Sequence, residues 1–431
     1  MTKFIQSNIK SGWYLFLILF FFAACATKES KEKEQKEVNE TNEIKKDYTS
    51  YGDDLSFLKK HTEIIELSDP SGMARMAVSP ALQGRVMTSS SSGEEGRSYG
   101  WINRSLFESG DTLEHINAFG GEERFWLGPE GGQFSIFFKN GDEFNLEAWQ
   151  TPPLIDIEPF ETKKVTTKKA TFTRNASLTN YSGFTFDLGI EREVAMLSPE
   201  EIKEELGLDK LNGINIVGYQ TRNTLTNTGD KDWKKETGLL SIWLLGMFNP
   251  APLTVVVVPY VAGDESELGA IVNDNYFGKV PEENLIVEEN VIYFSGDGKL
   301  RSKIGLSPAR ALDVLGSYDI LSKTLTIVKY NKPEGVSDYV NSLWEIQDEP
   351  YKGDVVNSYN DGPPSPGAKP LGPFYELETS SPALALKSGE SGVHIQTTCH
   401  FEGDEAVLTK ISEQVLGVSI HEIVSLFKIV K

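Results

Sequence analysis

Cysteine, histidine and positive charge are all scarce in this chain, and each shortage removes a class of function. Only two cysteines occur, Cys25 and Cys399, so no disulfide framework can be built. The five histidines (His61, His115, His394, His400 and His421) show no metal-ligand spacing, and no metal site is expected. Lys and Arg number 42 against 63 Asp and Glu, a formal charge of -21 that repels nucleic acid and anionic headgroups. A neutral or cationic ligand is the natural partner unless a local basic pocket overrides that field. No Gly-rich segment follows a strand and opens a helix as phosphate and dinucleotide loops do. A Gly-x-Ser-x-Gly elbow and a calcium loop are also missing, so no cofactor is expected. The apolar run from Trp13 to Phe22 is too short to span a bilayer comfortably.

That run has a more specific setting. Lys3 and Lys10 form a positive n-region, and Ala23-Ala24 stand directly before Cys25. The arrangement resembles the lipobox of bacterial lipoproteins, with Phe22 where such boxes usually carry Leu. The resemblance implies a signal peptide over 1–24, lipidation at Cys25 and a body held in the cell envelope by acyl chains. An ordinary signal peptide or an uncleaved anchor is the plainer alternative. Loss of 1–24 removes Lys3 and Lys10 and no acid, taking the charge from -21 to -23 and leaving Cys399 without a disulfide partner. Residues 25–50 read as a charged tether, and its stretch from Lys28 to Asp47, rich in Lys, Glu, Asn and Thr, reaches on the order of 60 Å if extended. Residues 51–431 read as one domain; the chain is 39% hydrophobic and 10% aromatic, enough for a large core.

Strand-like segments recur through that body: 134–138, 170–173, 184–186, 214–219, 254–260, 285–294, 325–330, 383–386 and 393–401. Turn signals such as Asn140-Gly141-Asp142 and Gly296-Asp297-Gly298 bound them. Helical signals are few. Ser198-Pro199-Glu200-Glu201 opens a capped short helix, and 404–415 forms another. Without βαβ alternation, the pattern predicts an all-β fold, a large antiparallel β-sandwich with a few short helices.

Four stretches, read as loops, mix aromatics with amides, carboxylates and guanidinium: 99–104, 119–132, 344–362 and 372–379. Sugars need that mixture, because a pyranose stacks its C–H face on an aromatic ring and bonds its hydroxyls to planar polar groups. Such clusters also make plain turns, and buried Trp is usually core. The wording and order of these stretches resemble the galactose-mutarotase-like (aldose 1-epimerase-like) superfamily. Tyr99-Gly100-Trp101-Ile102-Asn103-Arg104 is similar to its Gly-Arg-x-x-Asn-Arg segment, and Leu225 to Asp230 to its Asn-x-(Gly/Ser)-Asp turn. Glu378-Thr379-Ser380, then Leu386 to Glu390 and Thr397-Thr398, are similar to its C-terminal pattern. The resemblance implies a supersandwich, a carbohydrate ligand and Glu378 as general base, with Asn103 and Arg104 on the sugar. Arg124, Trp126 and Gln347 join them as contact candidates.

The chain departs from that pattern at both histidines. The His-Gly-Gly segment reads Phe119-Gly120-Gly121, and the second histidine position falls near Leu240 or Ser241. His115 is a substitute candidate, against an ordinary loop role. His394 and His400 share strand parity, as do Glu376 and Glu378. Arg301, Lys303 and Arg310 are either a site for an acidic group on the sugar or partners for structural carboxylates. The resulting expectation is a lipid-anchored carbohydrate-binding protein without standard mutarotase activity. The alternatives are an aldose 1-epimerase-like enzyme using Glu378, and a structural envelope lipoprotein. Cys25→Ser should shift the protein from the membrane fraction to the soluble or unprocessed fraction and abolish labelling by radioactive palmitate.

Overall fold

The computed structural model describes residues 48–430, so the expected signal peptide, Cys25 and the expected tether as far as Asp47 lie outside the described residues. Every pair of named strands is antiparallel, in sheets of ten, five and three strands. The five-stranded sheet runs in the order Ser302–Leu306, Val356–Asn360, Tyr375–Ser380, Ser241–Phe248, Arg124–Gly128. The ten-stranded sheet centres on Ser391–Gly403, which pairs with Ile214–Asn227 on one side and Thr324–Tyr330 on the other. The architecture is the antiparallel β-sandwich with few helices that the alternation predicts.

Strand chemistry explains the layering. Thr254–Pro259 carries four successive valines, buried on both faces. Val256 and Val258 join Leu315, Val328 and Leu377 between the two large sheets. Val255 and Val257 instead meet Ile202, Leu408 and Ile411 beneath helices on the outer face. Those helices start where the sequence predicts. Ser198 closes a reciprocal capping box over Pro199–Leu206, and Asp404 caps Glu405–Val415. Gly207 adopts the left-handed conformation, φ 65°, that ends the first of them.

Two expected strands are irregular. Residues 134–138 form turns closed by Ser135 N–H to the Gly132 carbonyl and Ile136 N–H to the Pro129 carbonyl. Ile136, Phe137 and Phe138 are all buried, so the segment packs successive side chains rather than alternate ones. The 383–386 segment makes a single bridge, Leu384 to Leu240. Conversely, the stretches read as loops contain strands: Arg124 and Trp126 lie on one, Asn357 on another, and Glu376 and Glu378 on a third. These strands are covered on both sides, and their polar face lines a cavity rather than solvent.

Between the large sheets, polar groups are paired rather than exposed. Thr379 Oγ1 bonds His394 Nε2 at 2.8 Å and donates to Gln396 Oε1. Gln396 Nε2 donates to Glu123, which pairs with Arg192 at 2.8 Å, both side chains fully buried. Burial holds the His394 imidazole neutral, its pKa lowered to about 3, so it is a packing residue here. Cys399 is a free, buried thiol. Arg192→Met should cost about 3–5 kcal/mol in urea unfolding, because Glu123 is left buried without its cation.

Candidate functional site

Alternation gives the five-stranded sheet two chemically distinct faces. Phe125, Leu127, Ile242, Leu244 and Leu377 point toward the core. The register places Arg124, Trp126, Trp243, Asn357, Glu376, Glu378 and Lys303 together on the other side. Over that side opens a cavity of about 1080 Å³. All five strands contribute to its lining, through Lys303, Asn357, Ser380, Trp243 and Gly128. Trp149, Trp344, Tyr276, Phe277 and Tyr359 add aromatic walls, and Glu130, Asp354 and Asp361 add carboxyls. Large apolar side chains that elsewhere would be a liability, Leu113, Leu146 and Leu371, stand exposed among the lining residues.

Lys303 is the electrostatic centre. Its Nζ donates to Glu378 Oε2 at 2.9 Å and lies 5.0 Å from the centre of the Trp243 ring. Burial opposes its charge, but Glu378, Glu130 and Glu376 together raise its pKa. Trp243 Nε1 donates to the same Glu378 oxygen at 3.0 Å. Glu378 is fully buried, and its Oε1 has no partner among the described residues. The carboxyl therefore sits directly beneath the cavity floor, covered by two residues that face the cavity. Glu376, on the same strand face, pairs with Arg124, yet desolvation and the neighbouring Glu378 raise its pKa.

Glu130 was not singled out by sequence reasoning. It lies two residues beyond the edge strand Arg124–Gly128, in the cavity wall. Desolvation raises its pKa to about 7; Lys303 opposes the rise and Glu378 adds to it. The available signal was a carboxylate inside Gly128-Pro129-Glu130-Gly131-Gly132, a turn beside aromatics. Asp354, also in the wall, accepts from Tyr276 and Asn273, and burial raises its pKa as well.

Of the expected site residues, Lys303, Arg301 and His115 line the cavity, and Glu378 underlies it. Nδ1 of His115 donates to the Trp149 carbonyl at 2.7 Å. Arg124 and Trp126 lie on the same sheet face but are buried, the guanidinium stacked 4.8 Å from the Trp126 ring centre. Gln347 pins the loop that carries Leu343 and Trp344, donating to the carbonyls of Asn341 and Leu343. Asn103 and Arg104 are not among the lining residues. Asn103 caps the helix Arg104–Ser109, and Arg104 pairs with Asp54 over the Phe57 ring. Phe119 packs on Phe107 in the same region. Arg310 is buried and donates to the carbonyls of Val261, Gly263 and Gly269. Among the described residues, no group of His, Cys, Asp and Glu is arranged to hold a metal.

Residues 49–427 match the model of a family of unknown function, DUF6786. No curated protein matches the chain. Among solved structures, the chain is similar to an Escherichia coli K12 protein provisionally assigned as an aldose 1-epimerase. That match has 12% identity and a TM-score of 0.46, over 79% of this chain and 99% of the other. A galactose mutarotase-like protein from Lactobacillus casei aligns at 12% identity and a TM-score of 0.44, over 79% and 99% of the two chains. A galactose mutarotase related enzyme from Lactobacillus acidophilus aligns at 9% and 0.43, over 79% and 100%.

Folding raises the Glu130 pKa from the ordinary 4.5 to about 7, so the folded state holds that proton more tightly than the unfolded chain. Its contribution to stability is full below pH 4.5 and is lost as pH rises through 7. Glu130→Gln should remove up to about 3 kcal/mol of this pH dependence, read as the change in variant-minus-native unfolding free energy between pH 4.5 and 8.

Proposed function

The chain belongs to the DUF6786 family of unknown function, and we propose that this member binds a carbohydrate in its cavity and acts on it as an aldose 1-epimerase-like isomerase. We place the body in a bacterial cell envelope, anchored through Cys25. One observation carries the activity: a carboxyl poised near neutrality, Glu130, shares a cavity with the Lys303–Glu378 pair inside aromatic walls. The aromatics offer faces for sugar C–H groups, and the carboxyls and Asn357 offer hydrogen bonds to hydroxyls.

The reaction needs a base for the proton of the anomeric hydroxyl and an acid for the ring oxygen. Glu378 is the base, its free Oε1 taking the proton while Lys303 and Trp243 hold Oε2. Glu130 is the acid, since a group with a pKa near 7 carries a proton for a large part of the time at neutrality. As the ring oxygen is protonated, its bond to the anomeric carbon breaks and a carbonyl forms there. Rotation about the adjacent carbon–carbon bond and reversal of both transfers closes the other anomer. Lys303 stabilises negative charge on the reacting oxygen.

Binding without turnover is the second reading, favoured because Glu378 is 0% exposed beneath Lys303 and Trp243. Calorimetry first identifies a sugar that binds, and exchange spectroscopy by NMR then measures its anomer interconversion. Glu130→Gln and Glu378→Gln should each slow exchange about 10²–10⁴-fold with little change in Kd. Exchange no faster than in buffer, for a sugar that binds, would leave only the binding reading.

A further inference from the structure

The dimensions of the cavity exceed what one sugar ring needs. Its lining runs across the whole five-stranded sheet, from Gly128 on one edge strand to Lys303 on the other. Four interstrand steps of about 4.8 Å make that path roughly 19 Å along the sheet. The volume, about 1080 Å³, lies just above the range of about 300–1,000 Å³ usual for drug-sized ligands. One polar atom awaits a partner within it: Ser241 Oγ, buried in the lining, makes no hydrogen bond among the described residues.

The end beyond Lys303 has its own charge. Arg301 stacks its guanidinium 3.9 Å from the Phe277 ring centre and, among the described residues, has no hydrogen-bond or ion-pair partner. Asp361, another lining residue, is already committed. Its Oδ1 accepts from the Tyr359 hydroxyl at 2.9 Å and its Oδ2 from the Gly372 N–H at 2.9 Å. Exposed Lys369 lines the same cavity. A planar guanidinium laid on an aromatic ring, with its fork unused, suits a carboxylate or sulfate on a stacked sugar.

We propose that the cavity takes an oligosaccharide of at least two residues bearing an anionic substituent, which Arg301 and Lys369 hold at the far end while another residue lies over Lys303. This deepens the carbohydrate reading and rests on it. The ligand is an acidic glycan segment, carboxylated or sulfated.

The test is a binding panel of neutral, uronate-containing and sulfated saccharides of one to six residues, followed by calorimetry on the hits. Acidic oligomers should bind, their acidic monosaccharides about tenfold or more weaker, and affinity should fall with added salt. Arg301→Met should weaken acidic oligomers about ten- to a hundredfold, and Lys369→Met, at an exposed position, should weaken them less. The uronate and sulfate arms decide which anion is held. Neutral saccharides or single rings binding as tightly, or indifference to both substitutions, would overturn this inference and leave the carbohydrate reading intact. Failure of every saccharide to bind would overturn both.

Discussion

Each strand of the five-stranded sheet is buried on both faces, and the two faces have opposite chemistry. One face is mainly apolar and fills the core against the ten-stranded sheet; the other carries Arg124, Trp243, Asn357, Glu376, Glu378 and Lys303. A strand can do this only because successive side chains point to opposite sides. The cavity depends on that constraint. A one-residue slip in any of these pairings would send charges into the core and leucines into the site.

Charge burial then decides which groups are free to react. Removing a charge from water costs several kcal/mol, and a close counter-charge offsets it only with good geometry. Arg192 with Glu123, Arg124 with Glu376 and Lys303 with Glu378 are each paired in this way. His394 takes the other route and stays neutral. Glu130 lacks full access to water, and Lys303 offsets that desolvation only in part, which leaves its proton equilibrium near neutrality. Arg301 is the complementary case, a cation whose nearest company is a ring. Both groups line one cavity.

Much of the fold was legible because alternation and capping are local properties. The strands at 214–219, 254–260 and 393–401, and the helices opened by Ser198 and Asp404, sit where the residues predict. Irregular packing hid the exceptions: Phe134 to Phe138 looks like a strand because every residue but Ser135 is apolar, yet its backbone turns. Glu378 and Lys303 were readable as candidates, and they meet at 2.9 Å across a separation of 75 residues. Asn103 and Arg104 had the right residue types, but a helix cap and a pair with Asp54 occupy them. Glu130 carried only the signal of its place beside aromatics, which is weak because a carboxylate in a Gly-Pro turn is ordinarily solvated.

Residue order alone settles the all-β class, the caps, the acidic character and the supply of aromatics and carboxyls, because each follows from periodicity, local hydrogen bonding or composition. Which of those carboxyls keeps a proton near neutrality, and which cation remains uncommitted, emerges only once distant strands are in register. Both properties are set by desolvation and by charges tens or hundreds of residues away, and such distances exist only in the folded chain.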